Sequence, residues 1–359
     1  MIAVALLLLA ADFREHLVAG DLKGGYQVIA ADLNHDGKPD LIALGTQMSE
    51  LVWYENPTWQ RHIIASGLAN MINLVYWDDQ IVLAYGFANS YAPSKGTVAV
   101  LKPNGDPRQP WTLTEIDRLP TSHRLRWANI GGSKVLVNAP LLGPKAVAPD
   151  YRDQVPLVYY KPGEWKRIEI PSANEGVQHG LTVVDWDGKG RDSLLTCSFS
   201  GIELYRYAKN KWTRMEISKG NPAPWPKSGS SDLAVGHLGK QRYLATIEPW
   251  HGNKVAVYTE HRGQWQREEI DGSLLDGHTI LTADLDGNGS DQIVAGMRGK
   301  PYQVLIYSNV NGKWTRKVLD TGAMAAAACT AADLNGDHRL DLACIGFATA
   351  NLKWYENVK

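Results

Sequence analysis

A chain of 359 residues, 44% hydrophobic and 21% charged, is globular and long enough for one large or two ordinary domains. Its 37 basic and 38 acidic residues nearly cancel, and no Lys/Arg run interrupts them, which argues against a nucleic-acid or anionic-membrane partner. The three cysteines, Cys197, Cys329 and Cys344, are too few for a disulfide framework and allow one bridge at most.

The chain opens with "MIAVALLLLAA", residues 1–11, an apolar stretch ending in small residues. It has the size of a signal-peptide core and is too short to span a bilayer. A buried first strand is the other reading. Export to a secreted or periplasmic location is favoured because "DFREHLVAG" (12–20) follows at once and already reads as a complete strand. No other segment looks transmembrane.

From residue 30 onward the sequence repeats. "AADLNHDGKPDLIALG" (30–45), "VVDWDGKGRDSLLTCS" (183–198), "TADLDGNGSDQIVAGM" (282–297) and "AADLNGDHRLDLACIG" (331–346) share an apolar run, an Asp, a short Gly/Asp turn, an Asp and a second apolar run. That is a β-hairpin with an acidic turn. A third strand ending in aromatics follows each, as in "LVWYEN" (51–56) and "NLKWYEN" (351–357), and a fourth recurs as "KWTRMEISK" (211–219) or "QWQREEIDG" (264–272). Degenerate copies begin at 71, 123 and 231, completing seven four-stranded units with no helical periodicity. Four short strands at a period of roughly 45–55 residues predict β-propeller blades. The last unit ends without its fourth strand, whereas 12–20 is a fourth strand without a unit, so the N-terminal strand is expected to close the ring. Residues 12–359 then form one all-β, seven-bladed domain.

The acidic turns "DLNHDGKPDL" and "DLNGDHRLDL" resemble the calcium-type loops of FG-GAP/VCBS repeat propellers, the family that includes integrin head propellers. Carboxylate and amide oxygens at alternate positions suit a hard cation. On this pattern Asp32, Asn34, Asp36 and Asp40 in the first blade, and Asp333, Asn335, Asp337 and Asp341 in the seventh, are the expected calcium ligands. Asp185 and Asp187 in the fourth, and Asp284, Asp286, Asn288 and Asp291 in the sixth, are weaker candidates, with the closing Asp one residue early. The competing reading is that Asp and Asn simply close turns with their own side chains.

Six residues before the first turn position of the blades stand Tyr26, Asn70, His123, His179, Ser230, His278 and Ala327. Three of these are histidines in one register. The start of each innermost strand borders the central tunnel, so His123, His179 and His278 are expected to converge at its mouth as a three-imidazole zinc site; the other reading is three separate turn-closing histidines. Loops on the same face add Glu248, Trp250 and His251 from "IEPWHGNK" and Arg298 from "GMRGKPY". Insertions at 87–96, containing Tyr91, and 139–156 suit walls over the opening, and Trp225 suits sugar stacking.

"GHTILTADLDGNGSDQIVAGMRG" with "IEPWHGN" is similar to the propeller domain of aldos-2-ulose dehydratases, fungal enzymes that eliminate water from oxidised sugars. The resemblance implies a zinc-containing cleft in the propeller. Zinc would polarise a sugar carbonyl, His251 or Glu248 would act as base, and Arg298 would stabilise the enolate. Trp250, Trp225 and Tyr91 would contact a carbohydrate or other small-molecule ligand. The alternative is a non-catalytic lectin-like, adhesion or protein-binding propeller with structural calcium.

Overall fold

The computed structural model describes residues 11–359. Except for Ala11, the expected signal segment lies outside them. Seven four-stranded sheets follow one another in chain order, and every strand pair within them is antiparallel. In the first blade the strands are Gly25–Ala31, Asp40–Gly45, Glu50–Glu55 and Gln60–Ser66. The seventh is completed as the sequence predicts. Phe13–Ala19 runs antiparallel to Leu352–Asn357, with Phe13 opposite Asn357 and Ala19 opposite Leu352.

The core lies between blades, and this explains the sequence pattern strand by strand. A second strand is covered by neighbouring blades on both faces, so it is apolar or small without alternation: Asp40–Gly45, Gln292–Met297 and Asp341–Gly346 are buried at every position. An outer strand meets solvent, so Lys211–Ser218 and Gln264–Asp271 are exposed or half-buried at nearly every position and mix charged with polar residues. Trp53, Leu44, Ile72 and Leu83 belong to one buried cluster that runs from the first blade through its neighbours.

Adjacent blades are also stapled by recurrent polar contacts. Asp40, fully buried, accepts the Leu33 amide at 2.9 Å and the Asn56 amide at 2.9 Å, and Asn56 then donates to the Leu334 carbonyl of the seventh blade at 2.7 Å. The seventh blade repeats this through Asp341, Leu334 and Asn357, with Asn357 donating to Leu285 of the sixth at 2.8 Å. Burial pushes the Asp40 carboxyl up to about 6 and raises that of Asp341 as well. In the sixth blade Gln292 takes the same position and accepts the Leu285 amide at 2.7 Å. The early aspartates are therefore different residues from Asp40 and Asp341. Asp291 accepts the His237 amide at 2.7 Å and Asp192 the Asn129 amide at 2.6 Å, each reaching the preceding blade.

Cys329 and Cys344, cross-strand partners in the seventh blade, form a disulfide, and Cys197 is free and buried. Among the described residues no helix is long and apolar enough to cross a membrane.

Deleting residues 12–20 leaves the Leu352–Asn357 edge unpaired, and an open edge invites association. The truncated protein should melt at least ~5 °C lower and self-associate on size exclusion. A monomer with the parental melting curve would show that the first strand does not hold the ring.

Candidate metal centre at the tunnel mouth

Inner strands start at one face of the ring and run down the tunnel, so residues at their starts are brought together across it. Tyr26 lies in Gly25–Ala31, His123 in Ser122–Ile130 and His278 in Gly277–Ala283, while His179 immediately precedes Gly180–Val184. A fifth ring comes from a loop. His251 follows the strand Gln241–Glu248 in a tight turn, with φ at 49°, and a Cβ on the next residue, Gly252, would sit 2.3 Å from the Glu248 carbonyl oxygen. Only glycine fits there, and the turn folds His251 back over the axis.

The five rings form a continuous circle. Round the circle, centroids are 6.2 Å apart for Tyr26 and His123, 4.7 Å for His123 and His179, 5.1 Å for His179 and His251, 5.1 Å for His251 and His278, and 5.1 Å for His278 and Tyr26. Above the circle a cavity of about 460 Å³ is lined by His123, His179, His251, Trp250, Arg298 and Phe87, among others. Below it, the tunnel holds a second cavity of about 660 Å³, lined by all seven inner strands.

His179, His251 and His278 can each offer one ring nitrogen within 4.8 Å of the others, a set able to coordinate a divalent metal ion. The hydrogen bonds leave one nitrogen of the set, on His278, without a partner, while His179 Nε2 accepts from Arg124 Nη2 at 3.4 Å. His278 Nδ1 lies 2.6 Å from the Ala327 carbonyl, which can only accept, so the proton is on Nδ1 and the Nε2 lone pair is free. That Nε2 is buried with no partner. His251 Nδ1 lies 3.3 Å from Asp276 Oδ1 and 3.0 Å from Arg298 Nη2. Arg298 can only donate, so His251 Nδ1 is the acceptor and the ring proton sits on Nε2; holding an ion through Nε2 would require that proton to leave. His179 Nδ1 lies 3.3 Å from Ser231 Oγ.

All four histidines are held below the ordinary imidazole range, first by burial and then by neighbouring positive charge, that of Arg124 at all four and that of Arg298 at His123, His251 and His278; His251 is pushed down to about 3. Their rings are therefore neutral at pH 7, the form in which imidazole binds metal.

The set brought together differs from the sequence expectation in one member. His123 stands in the circle, but its Nε2 is occupied by the Tyr26 hydroxyl at 3.0 Å, and it is His251, expected as a base, that joins His179 and His278. Glu248 is corrected more strongly. It is fully buried inside the fifth blade, where it accepts from Ser230 at 3.1 Å, Thr246 at 2.9 Å, Arg267 Nε at 2.9 Å and the Tyr258 hydroxyl, and it does not line the mouth. Those donors saturate its oxygens, so it is structural. Arg298 and Trp250 do line the mouth, with Arg298 Nη2 3.0 Å from Asp276 Oδ1.

Trp225 is half-buried beside the mouth. Its Nε1 donates to the Asp150 carbonyl at 2.7 Å and the Arg152 guanidinium lies 4.2 Å over its ring, so it braces the 139–156 insertion. Tyr91 sits at the loop tip, while its neighbours Phe87 and Asn89 line the cavity instead. Tyr26, Arg124 and Asp276 were not selected as site residues by sequence. Tyr26 occupies the same register as the histidines and was the one available signal.

In the acidic turns, side-chain oxygens face backbone amides. Asp32 accepts the Asp36 amide at 3.2 Å and the Gly37 amide at 2.9 Å; Asn34 accepts the Asp36 amide at 3.1 Å. Asp333 and Asn335 do the same in the seventh blade, and Asp284 and Asp185 in the sixth and fourth. Asp286 instead accepts the Ala11 amide at 2.7 Å.

Comparison with known proteins agrees with this architecture. A model described as "Aldos-2-ulose dehydratase, beta-propeller domain" matches residues 95–261, and one described as "FG-GAP-like repeat" matches 284–344. Among solved structures, BBS1N in complex with ARL6DN aligns with a TM-score of 0.62 at 12% identity, covering 98% of each chain. Virginiamycin B lyase from Staphylococcus aureus aligns with a TM-score of 0.63 at 12% identity, over 96% of this chain and 99% of that one. At such identities these two show the fold alone. The chain is thus a seven-bladed β-propeller related to FG-GAP-like repeats. It is further related to aldos-2-ulose dehydratase-like propeller proteins: aldos-2-ulose dehydratase of Phanerodontia chrysosporium is 27% identical over 240 residues, 57% of this chain. The chain spans only 26% of that relative's length.

Neutral buried histidines fix the sign of an acid effect. The unfolded chain takes up imidazole protons below its ordinary value while the folded one does not, so their contribution is present above that value and lost as pH falls. Each such ring contributes up to ~1.4 kcal/mol per pH unit below about 6.5. In chelator, the melting midpoint should fall between about pH 7 and about pH 5, and His123→Gln should fall less steeply. A midpoint that does not move with pH would contradict four neutral buried rings.

Proposed function

We propose that the tunnel mouth is the active site of a metal-dependent lyase that removes water from an oxidised sugar. The observation that carries this reading is the unpartnered, buried Nε2 of His278 facing His179 and His251, in a chain related to a sugar dehydratase. The three histidines would hold the ion, zinc being the metal whose open three-imidazole site is best known. Such an ion supplies Lewis acidity that polarises a carbonyl and acidifies the neighbouring C–H.

The protein's own groups account for the remaining requirements. Tyr26, whose hydroxyl donates to His123 Nε2, replaces Glu248 and His251 as the candidate base: its oxygen would take the proton next to the carbonyl as its own proton passes to His123. A hydroxyl on the adjacent carbon departs with a proton as water, leaving a carbon–carbon double bond conjugated to the carbonyl, with no oxidant required. Arg298, oriented by Asp276, donates to oxygen as negative charge builds on it. Trp250 gives the ring an apolar wall. The disulfide supports the expected secreted or periplasmic location, since such bonds persist in oxidising compartments.

Metal analysis of the purified protein should give about one zinc, or another transition metal, per chain. His278→Ala and His251→Ala should lose it; His123→Ala should retain it while losing at least ~100-fold in enone formation, followed by ultraviolet absorbance. Full metal content in both His278→Ala and His251→Ala would sink the site. Metal without turnover on any 2-ketosugar would leave a metal-stabilised binding propeller.

For the acidic hairpins the proposal is structural, calcium being the cation their alternate oxygen donors suit. Two blades carry the same Asp, Asn and Asp arrangement, which favours this second ion. Calcium should then raise the melting midpoint relative to chelator by mass action, and Asp36→Ala or Asp337→Ala should reduce the rise. Coincident curves for the parent would restrict these loops to turn closure.

A further inference from the structure

Arg124 lies under the circle of rings, and its environment is unusual for a guanidinium. It is 6% exposed and, among the described residues, no carboxylate lies within ion-pair distance of it. Its hydrogen-bond partners are two neutral imidazoles: Nη1 lies 3.3 Å from His123 Nε2 and Nη2 lies 3.4 Å from His179 Nε2. The guanidinium carbon sits 5.9 Å from the Tyr26 ring centroid. His123 and His179 line the mouth, Arg124 lines the tunnel below, and Tyr26 lines both. Arg124 is therefore at the junction of the two cavities.

The other charges nearby are already engaged or do not reach it. Arg298 has Asp276. Arg126, two residues further along the same strand, spends its Nη1 on the Leu125 carbonyl at 2.8 Å and on Asn73 Oδ1 at 3.4 Å. Asp232 is the one carboxylate lining the tunnel cavity, and it accepts the Leu233 amide at 2.9 Å. Two guanidiniums thus face one carboxylate, Asp232, whose leading charge partner is Arg124, which leaves an excess of one positive charge in the tunnel. A buried cation without an anion is costly, and imidazole lone pairs offset that cost only in part.

The geometry points to an anionic substrate: we propose that the mouth takes a sugar acid and that Arg124 binds its carboxylate at the junction of mouth and tunnel. This rests on the mouth being the sugar site. A carboxylate presents two oxygens to the planar guanidinium fork, and its single charge matches the single excess charge of the tunnel. A metal held by His179 strengthens the demand, because the His179 lone pair cannot serve both the ion and Arg124. Arg124 is then a specificity-determining residue, distinct from the metal ligands.

The test is calorimetric binding of D-glucuronate, D-glucose and glucose 6-phosphate to the full chain, both metal-loaded and in chelator. The metal-loaded protein should bind glucuronate at least roughly tenfold more tightly than glucose, the span of one charge-assisted pair. Arg124→Gln should remove that preference without changing metal content, and Arg124→Lys should restore part of it. Equal binding of glucuronate and glucose by the parent overturns the proposal, as does a preference for glucose 6-phosphate or an unchanged preference in Arg124→Gln. The parent comparison decides alone if the variants fail to fold. An Arg124-dependent preference in a protein that never holds metal would sink the lyase reading and keep this one; metal and turnover on neutral ketosugars without any acid preference would do the reverse.

Discussion

Everything in this molecule depends on one geometric constraint, the closure of seven sheets into a ring by the pairing of Phe13–Ala19 with Leu352–Asn357. Once the ring closes, each innermost strand must begin at the same face and border the same axis. Residues separated by tens of positions in sequence then share one register around a narrow opening. Tyr26, His123, His179 and His278 meet for that reason alone. No local interaction among them is needed to bring the backbones together, which leaves their side chains free to be chosen for chemistry.

Closure also sets the electrostatics. His123, His179 and His278 are almost fully buried, so these imidazoles lose the solvation that would support a proton and remain neutral. The same burial strengthens the influence of Arg124 and Arg298 on them. His278 shows how the scaffold directs one such donor. Its Nδ1 is tied to the backbone of the next blade, at Ala327, so blade packing and ligand orientation are a single contact. A shift between the sixth and seventh blades would misalign the nitrogen that faces the triad.

The repeat was legible because a strand buried on both faces cannot tolerate alternation, and an outer strand cannot avoid it. The register of the histidines was legible for the same reason, since counting back from a regular turn is reliable when the strand between is regular. His251 could not be placed that way. It sits in a turn whose path depends on a left-handed backbone and on Gly252, not on strand periodicity, and its distance from His179 is a tertiary fact. Glu248 misled because the loop was read as starting two residues too soon, at Ile247; Glu248 is the last residue of its strand, and its alternation points it into the blade toward Arg267 and Tyr258. Arg124 was hidden by adjacency, being the neighbour of a histidine already chosen.

The early aspartates show a further limit. By sequence, Asp192 and Asp291 look like displaced copies of Asp40, and a ligand set built on that alignment mixes two roles. Asp40 and Asp341 hold their own blade's hairpin to its third strand, whereas Asp192 and Asp291 reach back to the preceding blade. The distinction follows from β geometry, because a one-residue shift turns a side chain to the opposite face of a sheet. In a propeller the opposite face belongs to another blade. The acidic turns and the histidines are also held apart by the strands themselves: His278 lies at the start of Gly277–Ala283 and Asp284 just past its end, roughly 20 Å apart at the rise of an extended chain. Oxygen donors therefore collect at one end of the tunnel and nitrogen donors at the other.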